Sequence, residues 1–132
     1  MSLFRKKSKV QLSEAEERFI RAMQILGDKT RFRIFKLLMT HDEMCVTDIA
    51  EELDITLSAV SQHFRNFEMA GLVDKERMGQ KICYMLKADD ELVHELVTVA
   101  KKKIKEGNNG KNYNLQYGNV WILQNVKELL AE

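Results

Sequence analysis

Side chains suited to contacting nucleic-acid bases recur along one segment of this 132-residue chain, between residues 57 and 70. Ser58, Gln62 and Arg65 are spaced by four and three positions, so they lie on one face if the segment is a helix. The opposite face is apolar and is expected to be buried; it consists of Leu57, Val60, Phe64 and Phe67. Gln can make two hydrogen bonds to adenine, Arg can bind guanine or phosphate, and Ser can bind either base type. The spacing predicts a helix that reads base edges in the major groove.

In a DNA-binding domain, a helix of this kind usually follows a second short helix. The pattern from Val46 to Leu53 is helical, and only residues 54–56 separate it from the next helix. This spacing is typical of a helix-turn-helix. Thr56 is suited to cap the second helix, and Gly71 follows the last residue of its apolar pattern. Both ends of the reading helix, Leu57 to Ala70, are therefore signalled in the sequence.

The apolar period changes after Gly71. Residues 72–77 and 81–86 read as two short strands, and the residues that join them include Gly79, which suits a tight turn. A hairpin in this place predicts the wing of a winged helix-turn-helix. Helices are also predicted after Ser13, where Glu16 completes a capping box, and over residues 29–39 and 89–104. The expected fold class is mainly α, with a small β-hairpin wing.

Composition restricts the classes of protein that fit. The net charge is only +1, yet residues 1–40 carry ten Lys and Arg against four Asp and Glu, whereas residues 41–88 carry five against nine. A nucleic-acid surface in the acidic segment therefore requires that its acidic side chains lie away from that surface. There is no apolar run of membrane-spanning length and no signal-peptide core, so we expect a cytoplasmic protein without membrane contact. The two cysteines, Cys45 and Cys83, are too few for a disulfide scaffold and are expected to be free thiols.

The motif supports two classes of function. The first is a sequence-specific DNA-binding regulator. The second is a winged-helix module that binds protein without reading DNA, because a fold does not fix a function. An enzyme is not expected, since the chain carries no nucleophile paired with a base, no paired carboxylates, no phosphate-binding glycine loop and no metal-ligand spacing.

Four runs of sequence resemble a known family. QILGDKTRFRIFKLL from Gln24, EMCVTDIAEEL, SAVSQHFRNFEMAGLV and the hairpin ending in CYML together are similar to the ArsR/SmtB family of repressors. The resemblance covers about Phe19 to Val97. It implies a homodimer whose first and last helices form the dimer interface, binding to an imperfect palindromic operator in double-stranded DNA, and release by an inducer.

The resemblance also implies residue roles. By position, the DNA contacts of the reading helix would be Ser58, Ser61, Gln62, His63 and Arg65. Thr56 and Ala59 adjoin these residues and complete the candidate set on this helix. Arg77 and Lys81 would flank the backbone contacts of the wing. His63 lies at the edge of the apolar face, so a packed, hydrogen-bonded histidine is an equal alternative to a DNA contact.

The inducer is left open between a small molecule and a metal. Many members of the family that this chain resembles bind metal through a cysteine pair in a segment reading ELCVCDL, but this chain has Thr47 at the second cysteine position. One thiolate does not make a site for a soft ion. Other members of the family place Asp, His and Glu ligands on the last helix, but His94 and its acidic neighbours do not have the spacing expected of that site. No metal site and no cofactor are predicted. Cys45 and Cys83 are candidates for thiol sensing, with a role in the core as the alternative.

The domain organisation follows from these elements. Residues 1–12 are expected to form a flexible basic arm, and residues 13–106 a DNA-binding and dimerisation domain. Residues 107–132 read as a linker and a C-terminal helix that packs on the dimer interface, with cover of a ligand pocket as the alternative.

Overall fold

The computed structural model describes residues 9–107. Its elements, in chain order, are α1 Glu14–Leu26, α2 Lys29–Thr40, β1 Met44–Cys45, α3 Val46–Leu53, α4 Leu57–Met69, β2 Val73–Met78, β3 Lys81–Leu86 and α5 Glu91–Gly107. The mainly α class with a hairpin wing is confirmed. The first eight residues of the predicted arm and the predicted C-terminal helix lie outside the described residues. None of the helices within residues 9–107 is long and apolar enough to cross a membrane.

Side-chain caps begin the helices where the sequence predicts them. Ser13 and Glu16 form the capping box of α1, with each side chain bonded to the other residue's backbone N–H at 3.1 Å. The Asp28 carboxylate accepts from the Arg31 backbone N–H at 3.0 Å and begins α2. The Thr56 hydroxyl does the same for α4, accepting from the Ala59 N–H at 3.0 Å. Each cap supplies an acceptor for a backbone donor that the helix itself leaves unpaired.

The sheet contains one strand more than the hairpin that the sequence predicts. The strand order is β1-β3-β2, and both pairs are antiparallel. Strand β1 is only two residues long and pairs Met44 with Tyr84 and Cys45 with Cys83. It ties the start of α3 to the middle of the wing. Gly79, with a φ of 65°, supplies the left-handed conformation that the tight β2–β3 turn requires.

The core lies between the helices and the inner strand. Its largest fully buried side chains include Phe35, Phe64 and Phe67. The Phe64 ring stacks on the Tyr84 ring, with centroids 3.8 Å apart and planes 3° from parallel. Burying each large apolar side chain contributes about 1.5–3 kcal/mol. The stack therefore fixes α4 against β3, which sets the position of the wing beside α4.

Two expectations from the sequence are wrong. Leu57, expected to be buried, is 51% exposed, because it lies in the first turn of α4, beside an open groove. Cys45 and Cys83, expected to be free thiols, form a disulfide. They are 38 positions apart in the chain, and it is the pairing of β1 with β3 that places them opposite each other.

Candidate nucleic-acid interface

Helix α4 has the two-sided character required of a reading helix. Val60, Phe64 and Phe67 are fully buried against the rest of the domain. The four polar candidates on the other side are all exposed: Ser58, Ser61, Gln62 and Arg65. A helix held by one apolar face presents its polar face at a fixed angle. The structure thus brings these four predicted contacts together on one surface.

The amino end of α4 also favours an anion. Its first turn contains no acidic residue, and the backbone N–H groups at a helix start carry partial positive charge. The exposed Thr56 hydroxyl accepts the cap bond from the Ala59 backbone N–H, and its own O–H can still donate to a phosphate. Ala59 is half-buried and can offer only its methyl group.

Gln62 and Arg65 form a pair on the exposed face. The Arg65 Nη1 donates to the Gln62 Oε1 at 3.5 Å. The only acidic side chain of α4, Glu68, accepts a bond from the Tyr84 hydroxyl at 2.7 Å. Burial of the phenol, and then its bond to Glu68, raises the pKa of Tyr84, so this hydroxyl remains a donor. Glu68 is thereby held toward the wing strand, beyond the polar face.

His63 lies on the flank of α4 that faces the start of α2. It is half-buried, and its Nδ1 is buried with no hydrogen-bond partner among residues 9–107. Desolvation is the main cause that lowers the pKa of His63. The nearby positive charge of Arg31 lowers this pKa further, whereas the negative charge of Asp28 acts to raise it. The neutral imidazole thus packs beside α2. The half-buried position agrees with the packed alternative, but the buried Nδ1 lacks the hydrogen bond that this alternative includes.

The wing carries both predicted basic contacts at its tip. Arg77 near the end of β2 and Lys81 at the start of β3 are both exposed and flank the turn at Gly79. Apart from Glu68, the acidic residues of the middle segment lie before β1, on or just after α3, and along β2, in positions such as Glu51 and Glu76. The negative balance of residues 41–88 therefore does not fall on the polar face of α4.

The described residues hold no group of three or more His, Cys, Asp or Glu side chains placed to share a metal ion. His94 lies in α5, where its Nε2 is 2.7 Å from the Ala88 carbonyl oxygen. His41 is bonded locally, with its Nδ1 2.9 Å from the Leu37 carbonyl oxygen. Both imidazoles have structural partners.

Sequence reasoning missed Arg18, which connects three helices. Its Nε and Nη2 donate to the backbone carbonyls of Ala70 and Gly71 at 3.1 and 2.9 Å, just after α4. Its Nη1 forms an ion pair with Asp90, before α5, at 2.8 Å. A signal was available, because Arg18 precedes the buried Ala22 by four positions and so falls on the apolar side of α1.

These features define a winged helix-turn-helix protein. Solved structures share the fold. HlyU from Vibrio cholerae superimposes with a TM-score of 0.62 at 20% identity, covering 70% of this chain and 97% of that one. The homodimeric winged helix-turn-helix DNA-binding domain Mb0332 from Mycobacterium bovis gives 0.59 at 23% identity, covering 74% and 91%. At these identities the likeness establishes the fold.

Sequence comparison finds a family that the central part of this chain resembles. Residues 28–75 match the model described as "Bacterial regulatory protein, arsR family". The matched segment runs from the start of α2 into β2, and the resemblance to the ArsR family found in the sequence is confirmed over this segment. The cadmium resistance transcriptional regulatory protein CadC of Listeria innocua is 34% identical over 64 residues, which is 48% of this chain and 54% of that protein. The chain thus spans about half the length of this relative.

Proposed function

We propose that this protein is a sequence-specific DNA-binding transcription regulator that acts as a homodimeric repressor. The observation that carries the proposal is the exposed polar face of α4, which has basic and amide side chains, no acidic one, and a fully buried apolar face behind it. A protein-binding surface more often has an apolar centre. The polar face is better suited to hydrogen bonding with base edges.

Each candidate residue has a role in the proposed complex. Gln62 and Arg65 present the groups that pair with adenine and guanine, and Ser58 and Ser61 add shorter contacts near the helix start. The amino end of α4 faces a phosphate. Arg77 and Lys81 at the wing tip bind the backbone beyond the groove, where they add affinity and little sequence preference. Thr56 and Ala59 complete the contact edge, and His63 has a packing role.

The dimer would form through α1 and α5. Phe19 and Met23 of α1 and Val99 of α5 are 45%, 46% and 59% exposed, so both helices present apolar side chains that a second copy could cover. The related Mb0332 domain is described as homodimeric. Two copies would place two α4 helices in successive major grooves of an imperfect palindrome, about 34–36 Å apart.

Repression with release by an inducer is the mode of action that we propose, and a small molecule and a metal are the two inducer classes. The relatives are named as regulators, which supports regulation over an enzymatic activity. The chromosome of a bacterium lies in the cytoplasm, and the matching family model describes bacterial proteins, so the cytoplasmic location belongs to this proposal.

Fluorescence anisotropy with DNA from upstream of the protein's own gene tests the proposal. At about 0.15 M salt we expect a Kd below about 10⁻⁷ M, and much weaker binding to a scrambled duplex. Gln62→Ala and Arg65→Ala should each weaken the specific complex roughly tenfold or more. Arg33→Ala removes the same charge from exposed α2 and is the matched control. Equal, weak and salt-sensitive binding to both duplexes would reject the proposal and favour a protein partner.

A further inference from the structure

A groove of about 240 Å³ opens between the start of α3, the first turns of α4 and the wing turn. Its lining residues include Cys45, Thr47, Leu57, Ser61, Gln80 and Lys81. The groove therefore lies between two parts of the proposed DNA surface. It also explains why Leu57 is half-exposed: no side chain of the described residues covers this end of α4.

Only one of the two disulfide-bonded cysteines lines this groove. Cys83 is 0% exposed in the middle strand of the sheet, whereas Cys45 is only half-buried and lines the groove. Thiol–disulfide exchange needs access to the sulfur that is attacked. An external thiol can therefore approach Cys45 but not Cys83.

We propose that Cys45 is a thiol-exchange site at which a small thiol becomes covalently bound between α4 and the wing. The thiolate of the small molecule attacks the Cys45 Sγ, a new S–S bond forms there, and the bond to Cys83 breaks. The electron pair of the broken bond leaves with the Cys83 sulfur, which takes up a proton. The reverse attack by Cys83 restores the disulfide and expels the small thiol, so the modification is reversible.

The lining residues define the class of thiol. Lys81 supplies a positive charge, and the groove lining contains no Asp or Glu. Leu57 and Ile82 add apolar surface, and Ser61 and Gln80 add hydrogen-bonding groups. This environment fits a low-molecular-weight thiol that carries a carboxylate. A disulfide in a protein of the cytoplasm is usually transient and redox-active rather than structural, which agrees with exchange at this site.

The consequence for DNA binding depends on the proposed function. Ser61 and Lys81 both line the groove, and both are proposed DNA contacts, one in the base-reading helix and one in the wing. A bound thiol occupies the space between them and places its carboxylate where the phosphate backbone would pass. The modified protein should therefore bind DNA at least roughly tenfold more weakly.

Labelling of the full chain with glutathione disulfide tests the site. After reduction and removal of the reductant, Cys83→Ala leaves Cys45 alone, and Cys45→Ala leaves Cys83 alone. In the first variant the Cys45 thiolate attacks glutathione disulfide, forms a mixed disulfide and releases one glutathione thiolate. Peptide mass mapping should find the adduct on Cys45 in that variant and little on Cys83 in the other, while circular dichroism reports that both are folded. Equal labelling of both variants, or faster labelling of Cys83, would overturn the assignment of Cys45 as the exchange site.

A cationic reagent provides the charge control. Cystamine carries the same reactive bond with ammonium groups and no carboxylate. Relative to its rate with free cysteine, it should therefore label Cys45 more slowly than glutathione disulfide does. In Lys81→Gln this preference should disappear. A preference unchanged by Lys81→Gln would overturn the assignment of a carboxylate-bearing thiol.

Fluorescence anisotropy of DNA binding then distinguishes modification of Cys45 from its effect on DNA affinity. Glutathione-modified Cys83→Ala should lose affinity for the DNA, and a reductant should restore it. If the modified protein binds as tightly as the unmodified one, the regulatory claim is wrong although Cys45 is modified. If the unmodified protein binds no specific DNA, the proposed function has failed, while the mass mapping still decides whether Cys45 is an exchange site.

Discussion

Replacement of Arg18 by alanine should destabilise the domain more than any other single change on the surface of α1. Its guanidinium makes two hydrogen bonds to carbonyls at the end of α4 and an ion pair with Asp90, whose side chain is only 16% exposed. A hydrogen bond from a charged donor contributes about 1.5–3 kcal/mol. Because water can reach the carbonyls after the change, we expect a net loss of about 2–4 kcal/mol.

Urea denaturation of the full chain measures this loss. Arg21→Ala, an exposed arginine of the same helix, is the matched control and should cost less than about 0.5 kcal/mol. Asp90→Asn keeps the bond to the Val93 backbone N–H that begins α5 but removes the charge. In a double-mutant cycle with Arg18→Ala, it should give a coupling of about 1 kcal/mol. Equal losses for Arg18→Ala and Arg21→Ala would refute the role assigned to Arg18.

Two further predictions concern the turns and the helix caps. Gly71→Ala and Gly79→Ala should each cost about 1–2 kcal/mol in urea denaturation, because both glycines have a left-handed φ, of 66° and 65°. An added Cβ has room at both positions, so the expected loss comes from the backbone conformation alone. Near-neutral effects would therefore contradict this reasoning. The backbone bond from Arg31 is the main cause that lowers the pKa of Asp28 below 3.8. A lowered folded-state pKa gives stability that is present above 3.8 and lost as the pH falls through the folded-state value. Asp28→Asn keeps the cap without the titration, so its urea midpoint should fall less than that of the wild type on acidification. Parallel pH profiles would exclude this role for Asp28.

The local signals in the sequence were sufficient to predict α3 and α4, the two helices of the helix-turn-helix. The cap at Thr56, the spacing of the buried residues and the short turn before α4 are all encoded within about twenty neighbouring positions. Such signals depend on backbone hydrogen bonding and helix period alone. The polar face of α4 could therefore be predicted residue by residue.

Contacts between distant parts of the chain could not be predicted in this way. Strand β1 is too short to produce an alternating pattern, and its pairing partner lies about forty positions away. The disulfide depends on that pairing. The carbonyls bound by Arg18 are 52 and 53 positions distant. A helical period identifies which residues share a face, but not which element covers that face, and this is why Leu57 was wrongly placed in the core.

Selection of binding sites from random duplexes, with wild-type protein and with Gln62→Ala, tests most directly whether α4 reads bases. We expect the wild type to enrich an imperfect palindrome with half-sites about one helical turn apart. Gln62→Ala should lose the preference at one symmetric position and keep the others, because direct readout assigns each side chain to its own base pair. No enrichment by the wild type, or an identical sequence preference for both proteins, would contradict recognition through this face.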